Sequence, residues 1–429
     1  MKTNHWKRTI AGLLAMSTLF SLSFTAVSAE ETTAETTAAA TTATTATTVV
    51  EIPETDMPTL SVTEEEAAAF KVTPLTIKVD GESVKGLAVS GYKGTDTDVV
   101  IPDTLIDKKG NELPVFGIAD GAFSGNDTIT SVKMPETVTT IGANAFSGCS
   151  SLTSVNIPDA VTTLGASAFY ACTSLASIHI PESITTIDAD TFCSCTSLTE
   201  IELPSTLIRI GNEAFCSSGL TSITIPSSVT NIGIRAFDGC SNLTSITIPD
   251  GVTSIGDWAF YHCNSLTNIT IPGSVTNIGH STFFGCKNLT SITILDGVTS
   301  IGMSVFSSCE SLTDIIIPNS VTSIEEDAFS NCKSLTSITI PNSVTSIENF
   351  VFLGCSSLTD VTIPDSVTSI GTWAFKDCSS LTSIMIPNSV TSIGEAVFDN
   401  CNDLTDIYYL DTKMKWKKIS ISEDAISPD

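Results

Sequence analysis

Apolar residues in this chain return as a block of fixed length instead of following one long helical or strand period. In a representative copy the order is Leu243, Ile246, Ile248, Val252, Ile255, Ala259, Phe260 and Cys263, with Ser, Thr, Asp and Gly filling most positions between them. The Ile246-Thr247-Ile248 alternation predicts a short strand with one buried face. Pro249 carries no N–H for a strand ladder, so it ends that strand and starts a corner. Val252 and Ile255 predict a second extended segment that turns its side chains inward. Gly256-x-x-Ala259-Phe260-x-x-Cys263 then predicts a turn, with Ala keeping it narrow and Phe plugging the interior.

The block keeps its phase through most of the chain. Phe123, Phe146, Phe169, Phe192, Phe215, Phe237, Phe260, Phe283, Phe306, Phe329, Phe352, Phe375 and Phe398 recur every 23 residues, with a single interval of 22. Cysteine keeps the same beat at 149, 172, 195, 240, 263, 286, 309, 332, 355, 378 and 401. It lapses once, where Cys216-Ser217-Ser218-Gly219 is one residue short, and Leu295 stands in for one of the strand-ending prolines. A lone copy cannot cover its own apolar groups, but stacked copies can. Each coil buries its faces against the next, strands pair with neighbours ~4.8 Å away, and stability becomes a sum of nearest-neighbour terms. Thirteen phenylalanines in phase predict a curved rod ~60 Å long at that spacing. Proline in all but one of these strand-ending positions and the Ile/Thr/Val content argue against a bundle of small helices.

The pattern Leu-x-x-Ile-x-Ile-Pro-x-x-Val-x-x-Ile-Gly-x-x-Ala-Phe-x-x-Cys, repeated from about Ala122 to Cys401, resembles the BspA-like class of bacterial leucine-rich repeats. The resemblance implies a β-rich solenoid of 23-residue coils with short capping segments. Ser90 to Pro102 resembles the family's amino-terminal capping coil, and Asp406-Ile407-Tyr408-Tyr409 with Trp416 its carboxyl-terminal closing strand. The ten or so extra residues around Ile106 to Val115 read as a loop in the first coil. The resemblance also implies a secreted or surface-attached protein that binds proteins or cell surfaces; it names no ligand.

The ends set the remaining boundaries. Lys2, Lys7 and Arg8, an apolar run from Ile10 to about Phe24, and Val27-Ser28-Ala29 read as a secretory signal peptide cut after Ala29. Ser17, Thr18, Ser21 and Ser23 interrupt that run, which argues against a retained membrane anchor. Residues 30–70 read as a disordered Thr/Ala-rich linker ending in a short helix with a capping-box start at Thr63-Glu64-Glu65-Glu66. Residues 71–121 then form the cap and first coil, 122–401 the solenoid, and 402–429 the closing cap and tail.

Charge narrows the partners. The chain has 19 basic and 47 acidic residues, a net −28; without Lys2, Lys7 and Arg8, 16 basic groups face the same 47 acids at −31. Nucleic acid and anionic membranes are disfavoured as partners, and no membrane span is expected after signal cleavage. Catalysis has little support either. His179, His262 and His280 occupy three different positions of the coil, and no phosphate loop, calcium loop or nucleophile elbow occurs. No enzyme activity, metal or cofactor is therefore expected.

A solenoid turns one position of the coil into a row, which favours binding. Between the two strand isoleucines the row reads Lys133, Asn156, His179, Glu202, Thr224, Thr247, Thr270, Thr293, Ile316, Thr339, Thr362, Met385. Its varied start (Lys133, Asn156, His179, Glu202) and its outward apolar members (Ile316, Met385) are candidate contacts with a protein or cell-surface ligand, although a solvent row tolerant of any residue has the same pattern. Two residues before the ladder Phe, Trp258, Phe350 and Trp373 replace smaller residues, and Phe350 and Trp373, in adjacent coils, offer one aromatic patch for protein or glycan. Packing of the turn explains them equally well. The Thr row also fits ice adsorption, interrupted at Ile316 and Met385.

The regular cysteines behave as small inward hydrophobes, a reduced ladder, although equivalent Cα atoms ~5 Å apart fall within bridging range. Cys193 and Cys216 lie outside that ladder, one coil apart, and are the candidate disulfide.

Overall fold

The computed structural model describes residues 68–411, 416 and 418–421. The expected signal peptide and nearly all of the expected linker lie outside these residues, as does the tail from 422 onward. The described chain is a succession of short extended segments and corners, wound into one continuous solenoid. In the copy considered above, Ser245–Thr247 is the first strand and Ser254–Ile255 the second. Both pair in parallel with the equivalent segments one coil away: Ser222↔Ser245, Ile223↔Ile246 and Thr224↔Thr247 on one face, Asn231↔Ser254 and Ile232↔Ile255 on the other. Ile246 points inward while Ser245 and Thr247 are exposed, as the alternation predicts.

The corner that carries the ladder Phe is also hydrogen-bonded from coil to coil. Asn144, Phe146 and Gly148 donate their N–H groups to Ala166, Ala168 and Tyr170 of the next coil, while Ala145, Ser147 and Cys149 donate within their own coil to Gly142, Asn144 and Phe146. Alternate amides thus run along the rod and around it, and the backbone of a bend without regular strands is still satisfied. The geometry requires left-handed residues two before and two after Phe: φ is 56° at Asn144, 74° at Gly148, 56° at Trp258 and 54° at His262. Each such non-glycine residue costs roughly 1–2 kcal/mol, a cost the packed corner overrides.

Inside, the thirteen phenylalanines form one column, buried from Phe123 to Phe398. Neighbouring rings sit 5.1–5.9 Å apart, and along the column the planes diverge by no more than 23°. Full burial of a Phe side chain stabilises by roughly 1.5–3 kcal/mol, and ring contacts add ~0.5–1.5 kcal/mol each. Beside the rings each ladder thiol has a defined role. Cys149, Cys172, Cys263 and Cys286 each donate S–H to the Phe carbonyl of the preceding coil at 3.1–3.2 Å, and the remaining ladder cysteines do the same. All thirteen cysteines are free thiols, and the regular column is explained without disulfides. Where it lapses, Ser218 is buried at the missing position, its hydroxyl 3.3 Å from Cys240 Sγ. On the outside, Thr hydroxyls repeat the device, with Thr153, Thr244 and Thr290 donating to the Thr carbonyl one coil earlier.

The ends depart from the repeat. Strands β1 (Phe70–Val79) and β2 (Glu82–Tyr92) form an antiparallel hairpin, turning through Asp80 and Gly81 in left-handed conformations. β2 pairs in parallel with β5 (Glu112–Ile118), so the hairpin seals the amino-terminal edge of the stack. Two expectations are corrected here. Phe70, placed at the end of a helix, opens β1; the rest of that expected helix lies almost wholly outside the described residues. The segment around Ile106 to Val115, read as a loop, is a second hairpin: β4 (Thr104–Ile106) pairs antiparallel with β5, and Asp107 closes its turn by accepting from the Lys109 and Asn111 amides. β3 (Asp98–Val100) joins the first coil to the solenoid by pairing with Ser131–Lys133. At the far end Asp406–Tyr409 pairs with Ser383–Ile386, and Trp416 packs 5.2 Å from the Tyr409 ring.

Candidate functional site

Three surface features carry the candidate chemistry: the strand row, the aromatic corner and the off-ladder thiols.

On the strand row, Lys133, His179 and Glu202 are exposed, and His179 and Glu202 meet across an isolated parallel bridge. Asn156 differs. Its amide accepts from Met134 N at 2.6 Å and donates to Met134 O at 3.1 Å, so it works as a side-chain extension of the strand ladder. Further on, Ile316 stands 80% exposed beside Thr293, and Met385 is exposed next to Tyr408 on the adjacent strand. Tyr408 belongs to this row although the sequence reading assigned it only to the closing strand. The signal was present, because it stands 23 residues after Met385.

At the corner, Phe350 and Trp373 meet edge to face with ring centroids 5.4 Å apart, so the predicted pair exists. The Lys376 ammonium lies 4.5 Å from the Trp373 ring centre and is paired with Asp399 at 2.5 Å, which occupies one face of the indole. Trp258 stands apart from this pair, with the Arg235 guanidinium 5.2 Å from its ring centre. Sequence reasoning missed a second aromatic group: Tyr261 stacks on Phe284 at 5.0 Å, and His262 packs edge-on against both. The three described histidines remain in separate columns; His280 lies 3.8 Å from Glu325.

Cys193 is buried and Cys216 half-buried, and the structure brings them together as free thiols. The interaction of the two thiols with each other shifts Cys193 above and Cys216 below the ordinary thiol range, and burial pushes upward on each. A carboxylate oxygen of Glu213, a residue the sequence reading passed over, lies within 4.8 Å of both sulfurs. Burial and the Glu213 charge push the Asp190 carboxyl above its usual range. The ladder thiols behave differently, since burial raises Cys195, Cys240 and Cys286 to about 12.

Elsewhere, a cavity of about 490 Å³ opens at the amino-terminal edge, lined by Phe70, Tyr92 and residues 95–100. The Tyr92 hydroxyl donates to Asp96 there, and no His or Cys lines it. No helix among the described residues is long and apolar enough to cross a membrane.

Parallel coils, an aromatic interior column and outward rows define a leucine-rich repeat solenoid. The family model for the BspA type leucine-rich repeat region matches residues 117–243, 208–336 and 324–423, an unbroken run. The chain belongs to that family. A leucine-rich repeat protein from Bacteroides ovatus ATCC 8483 is 32% identical, with 79% of this chain and 87% of that one covered and a TM-score of 0.63. A leucine rich cell surface protein from Faecalibacterium prausnitzii A2-165 is 30% identical over 81% of this chain and 98% of that one, at a TM-score of 0.49. The pneumococcal vaccine antigen PcpA, 19% identical over 83% and 90%, shares the fold at a TM-score of 0.52. No curated protein matches the chain.

Proposed function

We propose that this is an exported, non-catalytic recognition protein whose strand row contacts a protein or cell-surface ligand. The observation that carries the reading is the row itself. Stacked parallel strands hold Ile316 at 80% exposure, and Met385 beside Tyr408, on a surface whose remaining members are mostly small and polar. Large apolar side chains held outward on rigid strands are the anchors that protein interfaces use. Export rests on the basic and apolar start of the sequence, and the acidic charge favours a ligand that is not polyanionic.

A photo-crosslinking amino acid placed at 316 or 385, applied to cells or extracts from the natural habitat, tests this. Adducts from those two positions and none from 281, in the corner column that also holds Trp373, support the strand row. Adducts from 373 alone would move the site to the aromatic corner. That is the second reading, a glycan-binding patch, which the edge-to-face contact of Phe350 with Trp373 supports. Glycan-array binding lost in Trp373→Ala and kept in Met385→Glu would establish it.

A further inference from the structure

Cys193 and Cys216 are the two cysteines that the interior does not use. Ladder thiols bond to Phe carbonyls of the preceding coil; these two have their own neighbours' hydroxyls, Ser194 and Ser217, at 3.7 Å. Both stand immediately after the ladder Phe, a position filled elsewhere by Ser, Tyr, Asp, Phe, Leu or Lys. Nothing in the fold demands sulfur there.

The two coils concerned also share an acid two positions before Phe, so that Asp190-Thr191-Phe192-Cys193 stacks on Glu213-Ala214-Phe215-Cys216. The corner amides fix the register, since Phe192 N–H donates to Ala214 O and Ser194 N–H to Cys216 O. This stacking places the Cys193 and Cys216 sulfurs and a Glu213 oxygen within 4.8 Å of one another. Ligands of a tetrahedral zinc-type ion stand about 3.5–3.8 Å apart, so small side-chain rotations close the set. Two sulfurs with one carboxylate select a borderline-soft ion over the oxygen-loving calcium or magnesium. Asp190 belongs to the same corner as Glu213, whose charge acts on it, while Arg235 and Arg209 are paired with Asp238 and Asp188 at 3.4 and 3.2 Å.

We infer that Cys193, Cys216 and Glu213 form a binding site for a thiophilic divalent cation of the zinc class, with its fourth coordination position facing solvent. Cys216 and Glu213 are only half-buried, which leaves that side open. Binding displaces the protons of the two thiols into solvent. The site lies on the corner and not on the strand row, so the inference stands or falls independently of the proposed recognition function.

The test uses the tag-free chain, reduced and freed of reductant, titrated with Co²⁺ as the spectroscopic probe. Expected are one equivalent per chain with a sulfur-to-metal charge-transfer band, and displacement of that band by Zn²⁺. The Cys193→Ser/Cys216→Ser double variant loses the band, and Glu213→Gln weakens binding by at least ~10-fold, the lower end of what loss of even an outer-shell partner costs. Cys286→Ser, deep in the ladder, keeps it. A readout that needs no variant is alkylation mapped by mass spectrometry, in which Zn²⁺ protects Cys216 in the native chain. No band together with unchanged alkylation of Cys216 overturns the site, and so does binding that survives the double variant.

Discussion

The coils before Phe215 and those after it have the same interior and different exteriors. Ring spacing is 5.3 Å between Phe146 and Phe169 and again between Phe260 and Phe283. Pairing of the first strand is not shared in this way, although the second strand pairs over two residues both early and late. First-strand pairing shrinks to Ser154–Val155 and then to the single His179↔Glu202 bridge in the early coils, whereas Asn268–Ile271 and Ser291–Ile294 pair over four residues. The pitch of the rod is therefore set by the phenylalanine column, the thiol bonds, the corner amides and the second-strand pairs. The strand face is free to vary, and the early coils use that freedom for charged and amide side chains where the later ones repeat Ser-Ile-Thr.

Alkali gives the largest expected effect. Buried thiols at about 12 in both halves, Cys149 early and Cys286 late, against an ordinary 9.0, favour the fold fully below pH 9. As pH rises from 9 towards 12 the unfolded chain ionises first, so stability falls through that window. Thermal melts in reductant at pH 8, 10 and 11 should show a progressive drop. A flat profile would mean that the column does not carry the stability assigned to it.

Next in size, Phe192→Ala and Phe352→Ala should each cost ~3–5 kcal/mol, confined to adjacent coils because coupling is nearest-neighbour. Hydrogen exchange should show similar frayed segments in the two variants. A much wider loss around 192 would show that strand pairing matters more than the interior. Asn156→Ala should cost ~1 kcal/mol and speed exchange at Met134, whose amide loses its acceptor. The smallest effect has the opposite sign. Ala396 is held at φ 46°, and Ala396→Gly should stabilise by roughly 0.5–1 kcal/mol, read as a small rise in melting temperature.

Most of the interior was legible because it depends on one repeated choice of residue. Phe, Cys, Ile and Val return in phase, and the structure buries them in phase. The amino-terminal hairpins were not legible for local reasons. Phe70–Val79 alternates well but lies outside the repeat, and β5 carries Pro114, which as a non-donor speaks against a strand. The left-handed corner was hidden because Trp258, Phe350 and Trp373 are residues that propensity keeps out of that region. Glu213 was missed because the comparison one coil apart that paired Cys193 with Cys216 was made for thiols alone, and an acid two before Phe reads as ordinary surface charge; asking which carboxylates share that corner would have found it.

The coil between Phe215 and Phe237 is shorter by one residue, yet those rings remain 5.4 Å apart and within 7° of parallel. Circumference and rise are thus separate variables in this architecture. The bend at Ser217–Gly219 took the deletion without disturbing the turns on either side. It is a natural place to splice in a foreign loop, and whole 23-residue units can be gained or lost by recombination while the shaft keeps its bore.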